Sequence, residues 1–371
     1  MIYLDNGATS YHKPESVKRA MVWAMENCAN PGRGGYDQSN NAARVVLECR
    51  ERASRLFNCD PERVVFTSNC THGLNIAIRS LVKPGSHVVI SGFEHNAVLR
   101  PLVAIGAKLH VAGTRLFDWD DTLASFEKIL RKGVDAAVFT HISNVFGYIL
   151  PIEELAAMCK GYNVPFVIDA AQSAGKRNVS MRSLGAEFIA MPGHKGLLGP
   201  QGTGLLLCRE AAEPLLFGGT GSMSEAPGMP EFLPDRLEAG TLNVPGIAGL
   251  SAGIAHVLKM NVDKIGKREE SQADLCAFAL ADMGVRVFNG PHRAGVVSFV
   301  PNMDCEELAQ QLAEEGIAVR TGLHCAPLAH KSAGTFETGT VRVSFGLDAS
   351  PEQTKFLIKV LKKIKTVRNF L

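Results

Sequence analysis

A lysine in Met191-Pro192-Gly193-His194-Lys195-Gly196 follows the apolar run Glu187-Phe188-Ile189-Ala190 and precedes the glycine-rich Leu198-Gly199-Pro200-Gln201-Gly202-Thr203-Gly204. It falls on a short turn between two expected buried strands, with glycine on either side of the His194-Lys195 pair. The hexapeptide alone leaves two readings open. One is a surface lysine in a loop. The other is an amine that desolvation makes nucleophilic enough to form a Schiff base with a carbonyl cofactor. Three further polar positions bear on the choice. Asp169 closes the apolar run Phe166-Val167-Ile168, and a carboxylate there can keep a pyridine nitrogen protonated. Cys70-Thr71-His72-Gly73 heads a helix expected from near Leu74, offering backbone N–H groups and a hydroxyl to a phosphate. His95 follows the run His87-Val88-Val89-Ile90. Taken singly, a strand-end aspartate also serves as a turn former or helix cap, and a lone histidine also packs or lies on the surface.

The elements that must carry these residues follow from the hydrophobic pattern. Tyr3-Leu4 with Asp5-Asn6-Gly7 reads as a short strand and turn, and Pro14 opens a helix to about Asn27. A second helix is expected from Ser39 to Phe57, with Ala42, Val45, Val46, Cys49, Ala53 and Leu56 near helical spacing. Apolar runs then alternate with helical stretches at Val64-Val65-Phe66-Thr67, His87-Val88-Val89-Ile90, Ala136-Ala137-Val138-Phe139, Phe166-Val167-Ile168-Asp169, Phe188-Ile189-Ala190 and Leu205-Leu206-Leu207. Such strands imply an α/β fold with a largely parallel sheet covered on both faces. Ligands of these sheets bind beyond the carboxyl ends of the strands, where Thr71, His95, Asp169 and Lys195 fall. A Gly-, Pro- and Ser-containing stretch from Gly218 to Gly246 breaks the alternation. Helices are expected from Gly246 to Met260 and from Val262 to Met283, then a smaller α+β domain containing Val296-Val297-Ser298-Phe299-Val300. The segment between Arg320 and Val341 reads as a mobile loop that holds Cys325 beside His324.

Composition excludes several classes of function. With 371 residues and 46% hydrophobic content the chain has material for two cores. A net charge of +2, from 39 basic and 37 acidic residues, leaves no basic footprint for nucleic acid or an anionic membrane. No apolar run is long enough to span a bilayer, and Met1-Ile2-Tyr3-Leu4-Asp5-Asn6 lacks a signal-peptide pattern, so a cytoplasmic protein is expected. Nine cysteines without a C-x-x-C pair suit neither a disulfide framework nor a zinc site, and no metal is expected.

Asp169-x-x-Gln172, Gly193-His194-Lys195, Glu238-Ala239-Gly240-Thr241-x-Asn243 and Arg320-Thr321-Gly322-x-His324-Cys325-Ala326 resemble, in order and spacing, the cysteine desulfurase and selenocysteine lyase branch of the class V aminotransferases. The resemblance spans essentially the whole chain. It implies the fold type I of pyridoxal 5'-phosphate enzymes: a large domain, 14–254, with a mainly parallel seven-stranded sheet flanked by helices. A small domain would combine residues 1–13 with 255–371. By the same resemblance Lys195 would hold the cofactor and move the substrate's Cα proton. Asp169 would pair with the pyridine nitrogen, Gln172 with the phenolic oxygen, and His95 would stack on the ring and assist proton transfer. Thr71 and His194 would bind the phosphate, and Thr241 would reach the phosphate of a neighbouring subunit, implying a homodimer. Arg342 would grip the substrate carboxylate with Asn144 helping, and Arg320 would lie nearby.

Cys325 matches the nucleophile that takes the substrate's sulfur as a persulfide and hands it to an acceptor protein. His324 and Arg320 are its nearest candidates in sequence for stabilising a thiolate. The substrate implied is L-cysteine, with L-selenocysteine as the alternative; another class V aminotransferase-type reaction and a catalytically silent sulfur-transfer scaffold are the remaining readings. Two positions depart from the pattern: Pro192 stands where many relatives carry a hydroxyl residue, and Leu323 where one branch has a second histidine.

Overall fold

The computed structural model describes residues 1–32, 34–210 and 212–364; the last seven residues of the expected small domain lie outside that range. Thirteen strands are present in three sheets among the described residues. In chain order they are β1 (Ile2–Tyr3), β2 (Val64–Thr67), β3 (His87–Ser91), β4 (Lys108–Ala112), β5 (Ala136–Thr140), β6 (Phe166–Asp169), β7 (Phe188–Pro192), β8 (Gly204–Cys208), β9 (Arg286–Phe288), β10 (Val296–Val300), β11 (Ile317–Ala318), β12 (Arg320–Gly322) and β13 (Thr340–Ser344).

The large sheet has seven strands in the order β2-β8-β7-β6-β5-β3-β4. Only β8 runs against the rest, pairing antiparallel with both β7 and β2. Alternation within the strands explains why they read as unbroken apolar runs. Phe66, Val89, Phe139, Ile168 and Ile189 pack into one core, while Val65, Val88, Val138, Val167 and Ala190 pack into another across the sheet. The strand without such a run is β4. It lies at the sheet's edge, where Lys108 and Val111 are exposed, so its hydrophobic signal is diluted.

Helix starts follow capping chemistry. Asn69 accepts the amide of His72 at 2.9 Å and starts the helix Cys70–Leu81, four residues before the expected start at Leu74. His95 caps the helix Asn96–Ile105 by accepting the Ala97 amide on Nδ1 at 3.0 Å. The helix Val244–Met260 passes through position 254 unbroken; the nearest break is Asn261, whose side chain caps the helix Val262–Asp282.

A four-stranded antiparallel sheet, β12-β13-β10-β9, carries its own core of Val297, Phe299, Val341, Val343, Leu308 and Leu357. The N-terminal β1 pairs in parallel with β11, and an isolated bridge joins Asp5 to Ser344. The first residues of the chain are thereby held against its last third. The segment read as a loop contains the helix Pro327–Ala333. The turn before it is tied on both flanks: Asn144 Nδ2 donates to the His324 carbonyl at 2.8 Å, and the Asn96 amide donates to the Cys325 carbonyl at 2.8 Å. No helix among the described residues is long and apolar enough to cross a membrane.

Candidate active site

The parallel register brings Thr140, Asp169 and Ala190 level on β5, β6 and β7, and the chain leaves β7 at Pro192 directly into Gly193-His194-Lys195-Gly196. Both glycines are required by packing. A Cβ on Gly193 would lie 2.1 Å from Thr203 Oγ1, and one on Gly196 would lie 2.3 Å from the Ala174 carbonyl oxygen. The lysine turn is pressed against β8 on one side and the residues after β6 on the other. Its side chain ends in a cavity of about 230 Å³.

Ten of the eleven residues singled out from the sequence line that cavity: Thr71, His95, Asn144, Asp169, Gln172, His194, Lys195, Arg320, Cys325 and Arg342. Thr241 does not. It is exposed and lines a separate cavity with Arg50, Glu238 and Gly219.

Electrostatics divide the lining residues. Lys195 is half-buried at the cavity, and desolvation lowers its pKa from the usual lysine range against the opposing pull of Asp169. No direct ion pair joins the two among the described residues, although both line the cavity. Asp169 is 3% exposed and accepts from the Ala171 amide at 2.8 Å and the Cys70 thiol at 3.5 Å. Burial and the Asp169 charge raise the Cys70 pKa, so that thiol stays a donor. His95 is driven toward its neutral form chiefly by desolvation, and its capping bond on Nδ1 leaves the proton on Nε2. His194 is lowered to about 4 by burial and by neighbouring lysines. His324 is lowered to about 2 by burial, with Arg342 adding to it. It is therefore held neutral and supplies no positive charge to the neighbouring thiol.

The nine cysteines fall into distinct environments. Cys325 is exposed, Cys28 is half-buried and the other seven are buried. Cys325 and His324 both adopt left-handed backbone, φ +57° and +48°, in a tight turn that presents the thiol at the cavity.

The N-terminal segment supplies contacts that sequence reading missed. Asp5 Oδ1 accepts from Arg342 Nη2 at 2.5 Å, and the Gly7 carbonyl accepts from Gln172 Nε2 at 2.9 Å. Thr9 Oγ1 bonds His194 Nδ1 at 3.0 Å, and Ser10 Oγ donates to the carbonyls of His194 and Lys195. Hydroxyls from Thr9 and Ser10 thus reach the lysine turn, whose preceding residue is Pro192. The one signal in the sequence was the polar density of Asp5-Asn6-Gly7-Ala8-Thr9-Ser10 after a short apolar strand.

The donor set fits pyridoxal phosphate. There is a desolvated amine for its carbonyl, a buried carboxylate for its ring nitrogen, a neutral imidazole beside them, and the N-terminus of the helix Cys70–Leu81 for its phosphate. The class-V aminotransferase family model matches residues 2–357. A probable cysteine desulfurase of Pyrococcus abyssi is 35% identical over 392 residues, covering 100% of this chain and 96% of its own. That of Methanothermobacter thermautotrophicus is 33% identical over 380 residues, covering 98% and 94%. Among solved structures, the apo cysteine desulfurase of Thermococcus onnurineus NA1 matches with a TM-score of 0.91 at 34% identity, covering 98% and 94%. The chain belongs to the class-V aminotransferase family, whose members depend on pyridoxal phosphate. Within that family it falls in the cysteine desulfurase branch.

Proposed function

We propose that this chain is a cysteine desulfurase that converts L-cysteine to L-alanine, taking the sulfur onto Cys325 and passing it to an acceptor protein. The observation that carries this reading is the position of Cys325: an exposed thiol, in a tied left-handed turn, on the same cavity as the half-buried Lys195 and the buried Asp169. Lys195 would hold the cofactor, with Asp169 and Gln172 on its ring substituents, His95 on its face, and Thr71 and His194 at its phosphate. The bound cofactor supplies an electron sink for the substrate's Cα. Lys195 Nζ, favoured in its neutral form by burial, moves the Cα proton, and Arg342 with Asn144 orients the substrate carboxylate. Cys325 Sγ, as a thiolate, forms a bond to the substrate sulfur while the Cβ–S bond breaks. The electron pair of that bond stays with carbon; Cβ takes a proton and Lys195 returns one to Cα, which completes alanine. The protein is left with a persulfide on Cys325.

Thr241, exposed and away from its own cavity, supports a homodimer in which it reaches the cofactor phosphate of a second copy. The exposed Leu216, Phe217, Met223 and Phe232, which precede it in the chain, suit the same assembly. Nine free cysteines suit a reducing compartment, and we assign the chain to the cytoplasm. The test is product analysis with L-cysteine and reductant on the wild type and Cys325→Ala. The wild type should give alanine and sulfide in equal amounts, and the variant should lose at least about 100-fold in alanine formation while keeping its cofactor absorbance. Unchanged turnover in the variant overturns the reading, and L-selenocysteine as the only productive substrate would move the chain to the lyase.

A further inference from the structure

Arg342 sits at the centre of β13, 1% exposed, a position where a guanidinium needs both a counter-charge and partners for its N–H groups. Nη2 donates to Asp5 Oδ1 at 2.5 Å and Nη1 donates to the Asn144 carbonyl at 3.0 Å. Nε, also buried, has no partner among the described residues. A guanidinium has five N–H groups, so with one bond at each Nη nitrogen three remain, and a carboxylate held as a fork takes two. Burial disfavours the guanidinium's charge, and Arg320, opposite Arg342 on β12, adds a like charge; Asp5 offsets both.

The Asp5 backbone is itself anchored. It bridges to Ser344, its carbonyl accepts from the Ala8 amide at 3.0 Å and the Tyr3 hydroxyl at 3.1 Å, and the Gly7 amide donates to Ser344 Oγ at 2.8 Å. Gly7 then passes so close over the guanidinium that a Cβ there would lie 3.1 Å from Arg342 Cζ. The N-terminal segment therefore clamps Arg342 by a carboxylate at one nitrogen and by backbone over its face. A mobile competitor for the substrate's place would not be fixed at so many points.

We propose that Asp5 is a positioning residue for substrate binding: by holding Arg342 at Nη2 it keeps the remaining N–H groups, Nε–H among them, in place for the α-carboxylate of the amino-acid substrate. The inference rests on Arg342 as the carboxylate anchor. It assigns to the first residues of the chain a share in substrate affinity and none in the bond-breaking step.

The test uses the cofactor-loaded enzyme with L-cysteine as substrate and L-alanine as a product inhibitor. Asp5→Ala should raise KM and the alanine inhibition constant together by about tenfold, with kcat within about twofold of wild type and the cofactor spectrum unchanged. Asp5→Asn keeps an acceptor at Oδ1 without the charge and should recover most of the loss, leaving KM about threefold above wild type. If Asp5→Ala does not fold, the Asn variant alone decides through the same split. An unchanged or lowered KM, or a fall in kcat with KM unaffected, overturns the role of Asp5. Arg342→Lys separates the two levels of inference. If it leaves KM unchanged, the carboxylate anchor itself is wrong, whereas a raised KM there with wild-type constants in both Asp5 variants removes only Asp5.

Discussion

Lys195 and Asp169 stand at adjacent strand ends of the large sheet, whereas Arg342 and Cys325 stand on the small sheet and the turn beside it. The first pair forms a floor. Its residues lie within a few positions of the apolar strands that hold them, and the two parallel neighbours β6 and β7 fix their spacing. The second pair forms a wall whose geometry depends on partners far away in sequence: Asp5 for Arg342, and Asn144 and Asn96 for the carbonyls on either side of the Cys325 turn. Under the proposed roles, cofactor chemistry would be built on the buried core of the large sheet, and substrate and sulfur handling on contacts made between distant parts of the chain.

That division gives the variants an order of effect. Lys195→Ala breaks the floor. It should lower alanine formation by at least about 10³-fold and abolish the absorbance of covalently held cofactor, read by spectrophotometry and turnover. Retained covalent absorbance would move the cofactor's attachment elsewhere. The wall variants at Asp5 should leave that absorbance intact and move KM alone, so loss of cofactor from them would erase the distinction between floor and wall.

A third effect, on stability and not on turnover, falls at Glu94, fully buried between the ends of β3 and β5. Its Oε1 accepts from Ser91 Oγ and from the Thr140 amide, and its Oε2 has no partner among the described residues. Burial raises its pKa to about 8. A carboxyl whose folded pKa is raised contributes stability that is full below its ordinary value near 4.5 and is lost as the pH climbs through about 8. Glu94→Gln keeps Oε1 for both donors and removes the charge. It should be more stable than wild type by on the order of 2 kcal/mol at about pH 9, with little difference at about pH 5, measured by denaturant unfolding. Parallel pH profiles would show that Glu94 is not held neutral in the fold.

The floor was legible in the sequence because its signals are local. Asp169 ends an apolar run, and Lys195 follows one between two glycines that packing forbids from carrying a side chain. Six of the seven strands announced themselves because both faces of the sheet are buried, and β4 did not because an edge strand needs no apolar run. The wall was legible only in part. Arg342 and Cys325 were found through motif resemblance, but nothing local to Asp5, Gly7, Thr9 or Ser10 says that they close over Arg342, Gln172 and the lysine turn. Those contacts span 165 to 337 residues of chain. His324 shows the limit of proximity in sequence: adjacent to Cys325, it is buried neutral against Thr340.

The most direct measurement of the central claim is the mass of the holoenzyme and its Cys325 peptide after L-cysteine is added without reductant. One additional sulfur atom should appear on Cys325, matched by one alanine released per site, and should vanish on adding reductant. Alanine formed with no sulfur on Cys325, or with sulfur on another cysteine, would contradict the account.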